Sequence, residues 1–599
     1  MKRSTHDAGL DPLQAMTGED SRSFRYAGAM ARVTVAEAIA VLCVTAAAFV
    51  LRVWNFARLG INHFDEGVYV FSALGLADAS QPLTLFPNQQ RFSPPFYFTA
   101  VSLLHRLTGW PVDLAALALN VGFGTATVVL VWWVGRRWYG PRAGLAAAVL
   151  LALCQSHILM SRVALTDAAF SFLFVLTIAF LVEAVERQSL RWAVLAGLAG
   201  GLVWNTKYHG WFTLLITGAA FVPAIWMARL RLRELRRPLL AWLLGGAIAI
   251  LLYLPWALFI RTSEGYRQIA NYYLTLISTQ WFTNLVRHVQ QQLYLEGPAS
   301  RAALLVALAL VLGWNTSAHW SKTMLLVAAA AAASLVLGFF GSVSILAFLA
   351  VPALVRGFDL YRNRVALAWL GLWVVAAPVY HPYARLLLPY TIITCLLAGA
   401  WLASNATVAG RSQHAADLAV ERKRARSSSM GPVPGERIAG WPGASFTVVL
   451  LAAFVIAFGS WRWRPGGNLW RSSRELADVA ARIAEHVPAG QDVFVLGEPA
   501  LAYYVHVSGR PSFRRVALAD LDTLQNAGYL ATGVYTDRAP VLARGISERA
   551  RRLTRLGSFP FRPNDLRLLD DFRPDRARAF LTAPDTTFDI TLYRLSPAR

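Results

Sequence analysis

The sequence predicts a polytopic α-helical membrane protein of about thirteen transmembrane helices, followed by a small α/β domain. Two observations lead to this prediction. The 599 residues are 56% hydrophobic with a mean hydropathy of +0.44, and apolar runs of about 18 or more residues recur between residues 33 and 460. Runs of this length cross a bilayer as helices, because lipid-exposed strands would need a closed barrel and an alternating pattern.

The chain divides into three regions by composition. Residues 1–32 are polar, and we expect a disordered cytoplasmic tail there. The membrane domain covers residues 33–460, with a long first loop at about 52–110 and a basic loop at about 404–440. Helical and strand patterns alternate from residue 462 to residue 599, which predicts a soluble α/β domain.

The distribution of basic residues predicts the topology. The formal net charge is +23, and the basic residues cluster in short loops such as "GRRWYGPRAG", "RLRLRELRR", "RGFDLYRNR" and "ERKRAR". A cytoplasmic N-terminus places all four segments inside, as the positive-inside rule requires, so we exclude nucleic acid as a partner. This topology requires "FYFTAVSLLHRLTGW" to be an interfacial amphipathic helix instead of a span. It also places the C-terminal domain outside the cytoplasm.

Charged residues return repeatedly to the outside face. The first loop contains "INHFDEGVYVF", with Asp65 and Glu66 side by side. Asp167 in "SRVALTD" begins a later apolar run, Lys207 in "NTKYHG" ends another, and Arg385 in "HPYARLLLPY" precedes a further one. A cation at this face can stabilise the phosphate of a lipid-linked substrate, and a carboxylate can accept a proton from a hydroxyl group.

Each of these signals also has a structural explanation. Adjacent acidic residues are common at helix starts, Asp167 can serve as an N-cap, and long cationic side chains can snorkel to the interface. His63 and His209 fit structural roles as well. A divalent metal bound by Glu66 and His63 stays an open alternative. The cysteines lie inside apolar runs at positions 43, 154 and 395, which gives no support for a disulfide scaffold or a zinc cluster.

Taken in order, these motifs resemble the GT-C superfamily of integral membrane glycosyltransferases. The resemblance is greatest to the branch that contains protein O-mannosyltransferases and the bacterial aminoarabinose transferase. It covers about residues 33–403 and rests on the Asp-Glu pair, "SPPFYF", "SRVALTD", "NTKYHG" and "YARLLLPY". It implies transfer of a sugar from a polyprenyl-phosphate donor to an acceptor hydroxyl outside the cytoplasm, with inversion.

The resemblance also implies roles for individual residues. Asp65 would be the general base, and Glu66 would support it or bind a cation. Asp167 would orient the acceptor or the donor. Lys207 and Arg385 would contact the lipid phosphate.

One position departs from the aminoarabinose transferase pattern. That branch has a Glu-Lys pair just before the proline of the first loop, where this sequence has Ser93 and Pro94. A zinc site of that kind is therefore not expected. Arg91 is the candidate replacement for the missing positive charge, and His209, next to Lys207 in sequence, is grouped with it as a donor-binding residue.

The resulting hypothesis is a multi-pass glycosyltransferase of the bacterial inner membrane, with a protein, lipid or polysaccharide acceptor. We expect the C-terminal domain to help bind that acceptor. A transporter or flippase for a lipid-linked sugar is the first alternative, but it predicts internal repeats and charges near the bilayer midplane. The second is a membrane scaffold that presents the C-terminal domain, in which Asp65, Asp167 and Lys207 would be free to vary.

Overall fold

The computed structural model of the chain is mainly helical, with a five-stranded sheet near the C-terminus. The structure describes residues 33–78, 93–226, 232–263, 265–313, 320–404, 473–509, 512–515, 528–538, 540–564 and 587–596. The predicted tail at 1–32, the basic loop at 405–440 and the predicted span at 443–460 lie outside these ranges.

The helices of the membrane part follow the apolar runs of the sequence. In chain order they are α1 Val35–Val53, α2 Phe64–Ala77, α3 Phe96–Thr108, α4 Val112–Tyr139, α5 Pro141–Ala152, α6 Gln155–Met160, α7 Asp167–Arg187, α8 Leu190–Trp204, α9 Phe212–Ala219, α10 Val222–Trp226, α11 Leu232–Thr262, α12 Gly265–Leu274, α13 Trp281–Leu295, α14 Pro298–Gly313, α15 Trp320–Arg356, α16 Tyr361–Ala376 and α17 Ala384–Ser404.

The prediction of a multi-pass α-helical membrane protein is confirmed. Among the described residues, six helical segments are long and apolar enough to cross a membrane, or seven if the bent pair α13–α14 forms one span. Helices α5 and α8 are also apolar but shorter. The count of about thirteen spans stays a prediction.

Several predicted spans differ from the observed helices. The run at 143–160 is divided between α5 and α6, and α6 begins with the buried polar residues Gln155, Ser156 and His157. The runs at 323–340 and 342–355 belong to α15, which has a non-helical break at Gly338 with φ of 68°. The Glu296 carboxylate accepts the N–H groups of the two residues after this break, so it caps the second half of the helix.

The first loop contains two helices, α2 and α3. The predicted amphipathic helix is observed as α3. Its Tyr97 and Val101 are buried, whereas Leu103 and Leu107 are exposed. Helix α2 begins one residue before Asp65, so the acidic pair lies in the first turn of a helix and not in an open loop.

The C-terminal region has the predicted α/β fold. Its strands are β1 Asp492–Leu496, β2 Ser512–Arg515, β3 Gly528–Thr532, β4 Leu553–Phe561 and β5 Phe588–Leu595, and its helices are α18 Glu475–His486, α19 Pro499–Val507, α20 Val534–Arg538 and α21 Pro540–Glu548. The strand order is β2-β1-β3-β5-β4. Strand β1 is parallel to β2 and β3, and β5 is antiparallel to β3 and β4.

Helices α4 and α5 pack closely because glycine occupies their contact. A Cβ atom on Gly144 would lie 2.5 Å from both the Arg136 nitrogen and the Trp132 oxygen of the neighbouring backbone. Gly135, on α4, meets Gly144 across the same contact. Small residues allow helix backbones to approach in this way inside membranes.

We expect Gly144→Ala to destabilise the fold by about 1–3 kcal/mol, because the added methyl group overpacks a backbone contact. Gly122→Ala on α4 is the matched control, since a Cβ atom there meets nothing within 4 Å. Thermal unfolding in detergent would compare the two variants with the wild type. Equal midpoints for Gly144→Ala and Gly122→Ala would contradict the close packing.

Candidate active site

The turn that precedes α2 fixes the acidic pair. His63 is the N-cap of α2, and its Nδ1 atom accepts a hydrogen bond from the Asp65 N–H at 3.0 Å. The Glu66 carboxylate reaches back and accepts the N–H groups of Asn62 and His63, each at 2.7 Å. This capping box satisfies backbone groups that a helix start leaves open.

Glu66 joins the start of α2 to the segment that precedes α7. It is fully buried, and its other oxygen accepts the Ala164 N–H at 2.7 Å, three residues before Asp167. Burial raises the pKa of Glu66, although its backbone hydrogen bonds act in the opposite direction. The contacts of this carboxylate assign Glu66 to holding the two loops together.

These contacts also bear on the metal hypothesis for Glu66 and His63. Both Glu66 oxygens already accept backbone N–H groups, and His63 Nδ1 accepts from Asp65. Within the described ranges, no group of three or more His, Cys, Asp or Glu side chains is arranged to hold a metal ion. The residues present therefore do not fit a metal at this position.

Asp65 forms an ion pair with Arg385, which lies 320 positions later in the sequence. Arg385 Nη2 donates to Asp65 Oδ2 at 2.7 Å, and the two side chains are 12% and 24% exposed. Burial alone would raise the pKa of Asp65, but Arg385 and His63 outweigh it and hold the pKa below its ordinary value. Arg385 also lies over the ring of Tyr383 at 5.2 Å. Asp65 is therefore a carboxylate at neutral pH.

Asp167 and Lys207 form a second ion pair beside the first. Lys207 Nζ lies 2.6 Å from Asp167 Oδ1 and 5.8 Å from the centre of the Phe170 ring. Burial lowers the pKa of Lys207, and Asp167 partly restores it. The second oxygen of Asp167 is buried without a hydrogen-bond partner in the described part of the chain, which leaves an acceptor for a hydroxyl group.

The two ion pairs form one charge cluster of Asp65, Asp167, Lys207 and Arg385. Lys207 contributes to lowering the pKa of Asp65, and the positive charge of Arg385 contributes to lowering that of Lys207. Such mutual effects require short separations in a poorly solvated site. The sequence prediction that these four side chains meet at one face is consistent with this geometry.

Two further residues, His209 and Arg91, were predicted to bind the donor, and the structure describes only the first of them. His209 lies next to the cluster, where its ring packs edge-on against Phe170 at 4.4 Å and also contacts Trp373. Burial and the charge of Lys207 lower the pKa of His209 to about 3, so the imidazole is neutral and cannot serve as a cation. Arg91 lies outside the described residues.

Tyrosines around the cluster were not predicted from the sequence. Tyr69 lies one turn after Asp65 on α2, and burial raises its pKa well above the ordinary value, with a further contribution from Asp65. On α12, burial and the charge of Asp65 raise the pKa of Tyr272, and burial, Tyr272 and Asp65 together raise the pKa of Tyr273 to about 12. The Asp65-x-x-x-Tyr69 spacing could have indicated Tyr69. The tyrosines of α12 carry no short-range signal.

We expect Glu66→Gln to lower the free energy of unfolding by about 2–3 kcal/mol. The substitution replaces one carboxylate oxygen with an NH2 group, which cannot accept a hydrogen bond and faces a backbone N–H donor. Asp65→Asn should cost less, since Asp65 is partly exposed. Thermal unfolding of the two variants in the same detergent would test this order. A larger loss for Asp65→Asn would contradict the assignment of Glu66 as the link between the loops.

Two comparisons with known sequences match part of the chain. A model of the family described as dolichyl-phosphate-mannose-protein mannosyltransferase matches residues 112–271. Undecaprenyl phosphate-alpha-4-amino-4-deoxy-L-arabinose arabinosyl transferase 1 of Pseudomonas fluorescens is 33% identical over 156 residues. The aligned part is 25% of this chain and 26% of that relative.

Similarity to solved structures extends over nearly the whole chain. The crystal structure of ArnT from Cupriavidus metallidurans bound to undecaprenyl phosphate has a TM-score of 0.51 at 14% identity, covering 92% of this chain and 97% of that one. The apo structure of the same protein also gives 0.51, at 16% identity and 93% and 98% coverage. The chain therefore shares its fold with these ArnT structures over nearly its whole length, in agreement with the resemblance that its motifs show.

Proposed function

We propose that this protein is a multi-pass glycosyltransferase of the bacterial inner membrane. It transfers a sugar from a polyprenyl-phosphate carrier to an acceptor hydroxyl on the extracytoplasmic side, with inversion. The observation that carries the proposal is the cluster of two carboxylates and two cations drawn from four separate segments of the chain. The relative's name and the ArnT structure bound to undecaprenyl phosphate support this donor class.

The two cations provide the phosphate site. Lys207 and Arg385 are each held by a carboxylate in the resting protein, which reduces the cost of keeping charges in a poorly solvated site. A lipid phosphate that enters the cluster exchanges these partners and forms charge-assisted hydrogen bonds with both cations. The same contacts stabilise the phosphate as it departs with the bonding electrons.

Release of Arg385 toward the phosphate prepares Asp65 as the base. In the resting ion pair, Arg385 lowers the pKa of Asp65 and so weakens its basicity. When Arg385 binds phosphate instead, the Asp65 carboxylate becomes more basic and accepts the proton of the acceptor hydroxyl. The acceptor oxygen then bonds to the anomeric carbon as the bond from that carbon to the phosphate oxygen breaks.

Asp167 is proposed to orient the acceptor or the donor. One of its oxygens holds Lys207 at 2.6 Å. The other is buried and has no partner within the described segments, so it is available to a hydroxyl of the donor sugar or of the acceptor. Orientation of this kind lowers the reaction barrier, because it holds the reacting groups at the distance from which the acceptor oxygen can attack.

Release of free polyprenyl phosphate tests the proposal. Reconstituted wild type, given a panel of polyprenyl-phosphate sugars and a membrane extract as the acceptor source, should release the lipid phosphate. We expect Asp65→Asn to lower the release at least about 100-fold, the usual contribution of a general base. Asp589→Asn, at an exposed strand position, is the control for the same chemical change.

Two outcomes would contradict parts of this proposal. Equal release by wild type and Asp65→Asn would remove Asp65 as the base. Binding of a donor by the wild type without release, together with its movement across the bilayer, would support a transporter or flippase instead.

Loss of Lys207 should weaken the binding of undecaprenyl phosphate about tenfold, the effect of one charge-assisted hydrogen bond. The double variant Lys207→Met/Asp167→Asn avoids an unpaired carboxylate, and we expect it to fold and still bind weakly. Arg137→Met is the control, because Glu183 retains a second partner in Arg187. Titration in nanodiscs would measure the three affinities. Wild-type affinity in the double variant would exclude Lys207 from the phosphate site.

A further inference from the structure

The C-terminal domain contacts the turn that leads into Asp65. The Ile61 N–H donates to the Tyr504 hydroxyl at 2.8 Å, and the Phe64 N–H donates to the Tyr535 hydroxyl at 3.2 Å. The Phe64 and Tyr535 rings also meet edge to face, with centroids 4.8 Å apart. Two side chains of the C-terminal domain therefore satisfy backbone groups on both sides of the turn.

The residues that make this contact follow two neighbouring parallel strands of the sheet, β1 and β3. Strand β1 lies between β2 and β3, and all three strands are parallel. The chain places β2 on one side of β1 and then crosses to place β3 on the other side, so the strand order changes direction between β1 and β3. Ligands of open α/β sheets bind in the crevice beyond the carboxyl ends of such strands. Glu498 follows β1 at this crevice, and its carboxylate accepts the Tyr535 N–H at 3.1 Å.

The Asp65 turn and the start of α2 contact residues that follow β1 and β3 in the chain. A Cβ atom on Gly67 would lie 2.2 Å from the Ala500 nitrogen at the start of α19, so the two backbones are in direct contact there. Ile61 is fully buried, and Tyr504 is 5% exposed. These residues are therefore excluded from solvent at the contact between the two regions.

Two adjacent tyrosines on α19 make different contacts. The hydroxyls of Tyr503 and Tyr504 both donate to the Asp113 carboxylate, at 3.0 and 3.4 Å. Tyr504 also accepts from the turn at Ile61, whereas the Tyr503 hydroxyl accepts from the Asp113 N–H. Both tyrosines therefore hold the domain to Asp113, but of the two only Tyr504 has a hydrogen bond to the turn among the described residues. Comparing variants of the two residues distinguishes loss of the turn contact from loss of domain docking.

We propose that the C-terminal α/β domain is a positioning element of the active site. Tyr504 and Tyr535 fix the turn between Ile61 and Phe64, and through it they hold the Asp65 carboxylate against the acceptor. This inference rests on the proposed function, in which Asp65 is the base. Because Lys207 and Arg385 belong to other segments, loss of the contact with the turn should slow turnover without weakening donor binding.

The test compares Tyr504→Phe with Tyr503→Phe. We expect Tyr504→Phe to lower kcat at least about tenfold, since small displacements of a catalytic group are costly, with the affinity for undecaprenyl phosphate unchanged. Tyr503→Phe should keep kcat within about twofold. Tyr535→Phe should repeat the effect of Tyr504→Phe. Similar thermal midpoints for the adjacent pair would show that general destabilisation is not the cause.

A second measurement does not depend on catalysis. Hydrogen–deuterium exchange of a peptide covering residues 60–66 should increase in Tyr504→Phe and Tyr535→Phe relative to Tyr503→Phe. Unchanged exchange in both variants would overturn the inference, whether or not the wild type transfers sugar. Increased exchange with unchanged kcat would overturn it as well and leave the proposed reaction intact. A wild type without transfer activity would instead count against the proposed function, while the exchange result would still decide whether the domain holds the turn.

Discussion

The carboxylate of Glu66 is the interaction on which the site depends. It accepts backbone N–H groups from its own turn and from Ala164 in the loop that precedes α7. Those two loops carry Asp65 and Asp167, so one buried side chain sets the distance between the acidic members of both ion pairs. A carboxyl side chain is well suited to this task, because its two oxygens can accept several hydrogen bonds from different segments.

The charge cluster satisfies two requirements that conflict. A poorly solvated site disfavours isolated charges, whereas a lipid phosphate needs cations that face it. Pairing Lys207 with Asp167 and Arg385 with Asp65 meets the first requirement. In the proposed reaction, an exchange of partners on phosphate binding would meet the second. The neutral His209 and the aromatic rings of Phe170 and Tyr383 line the cations without adding charge.

Much of this arrangement was predicted from the sequence, because apolar run lengths and basic loops led us to expect Asp65, Asp167, Lys207 and Arg385 at one membrane face. The pairings themselves do not follow, since Asp65 and Arg385 are 320 positions apart. The role of Glu66 was also hidden, because its partners are backbone groups that any residue offers. Buried polar residues divided the run at 143–160, where hydropathy alone predicted one span. The C-terminal domain was predicted as α/β, but its contact with the turn depends on tertiary structure.

The backbone contact between Gly67 and Ala500 has a consequence for the relationship between the two domains. With no side chain between them, neither surface can change shape without a matching change in the other. Fusing the C-terminal domain of a distant homologue to this membrane domain would bring together surfaces with separate histories. A working chimera would therefore need to take the segment from Gly60 to Gly67 from the same homologue as the C-terminal domain. The part that must be exchanged as one piece thus includes residues of both the membrane part and the soluble part.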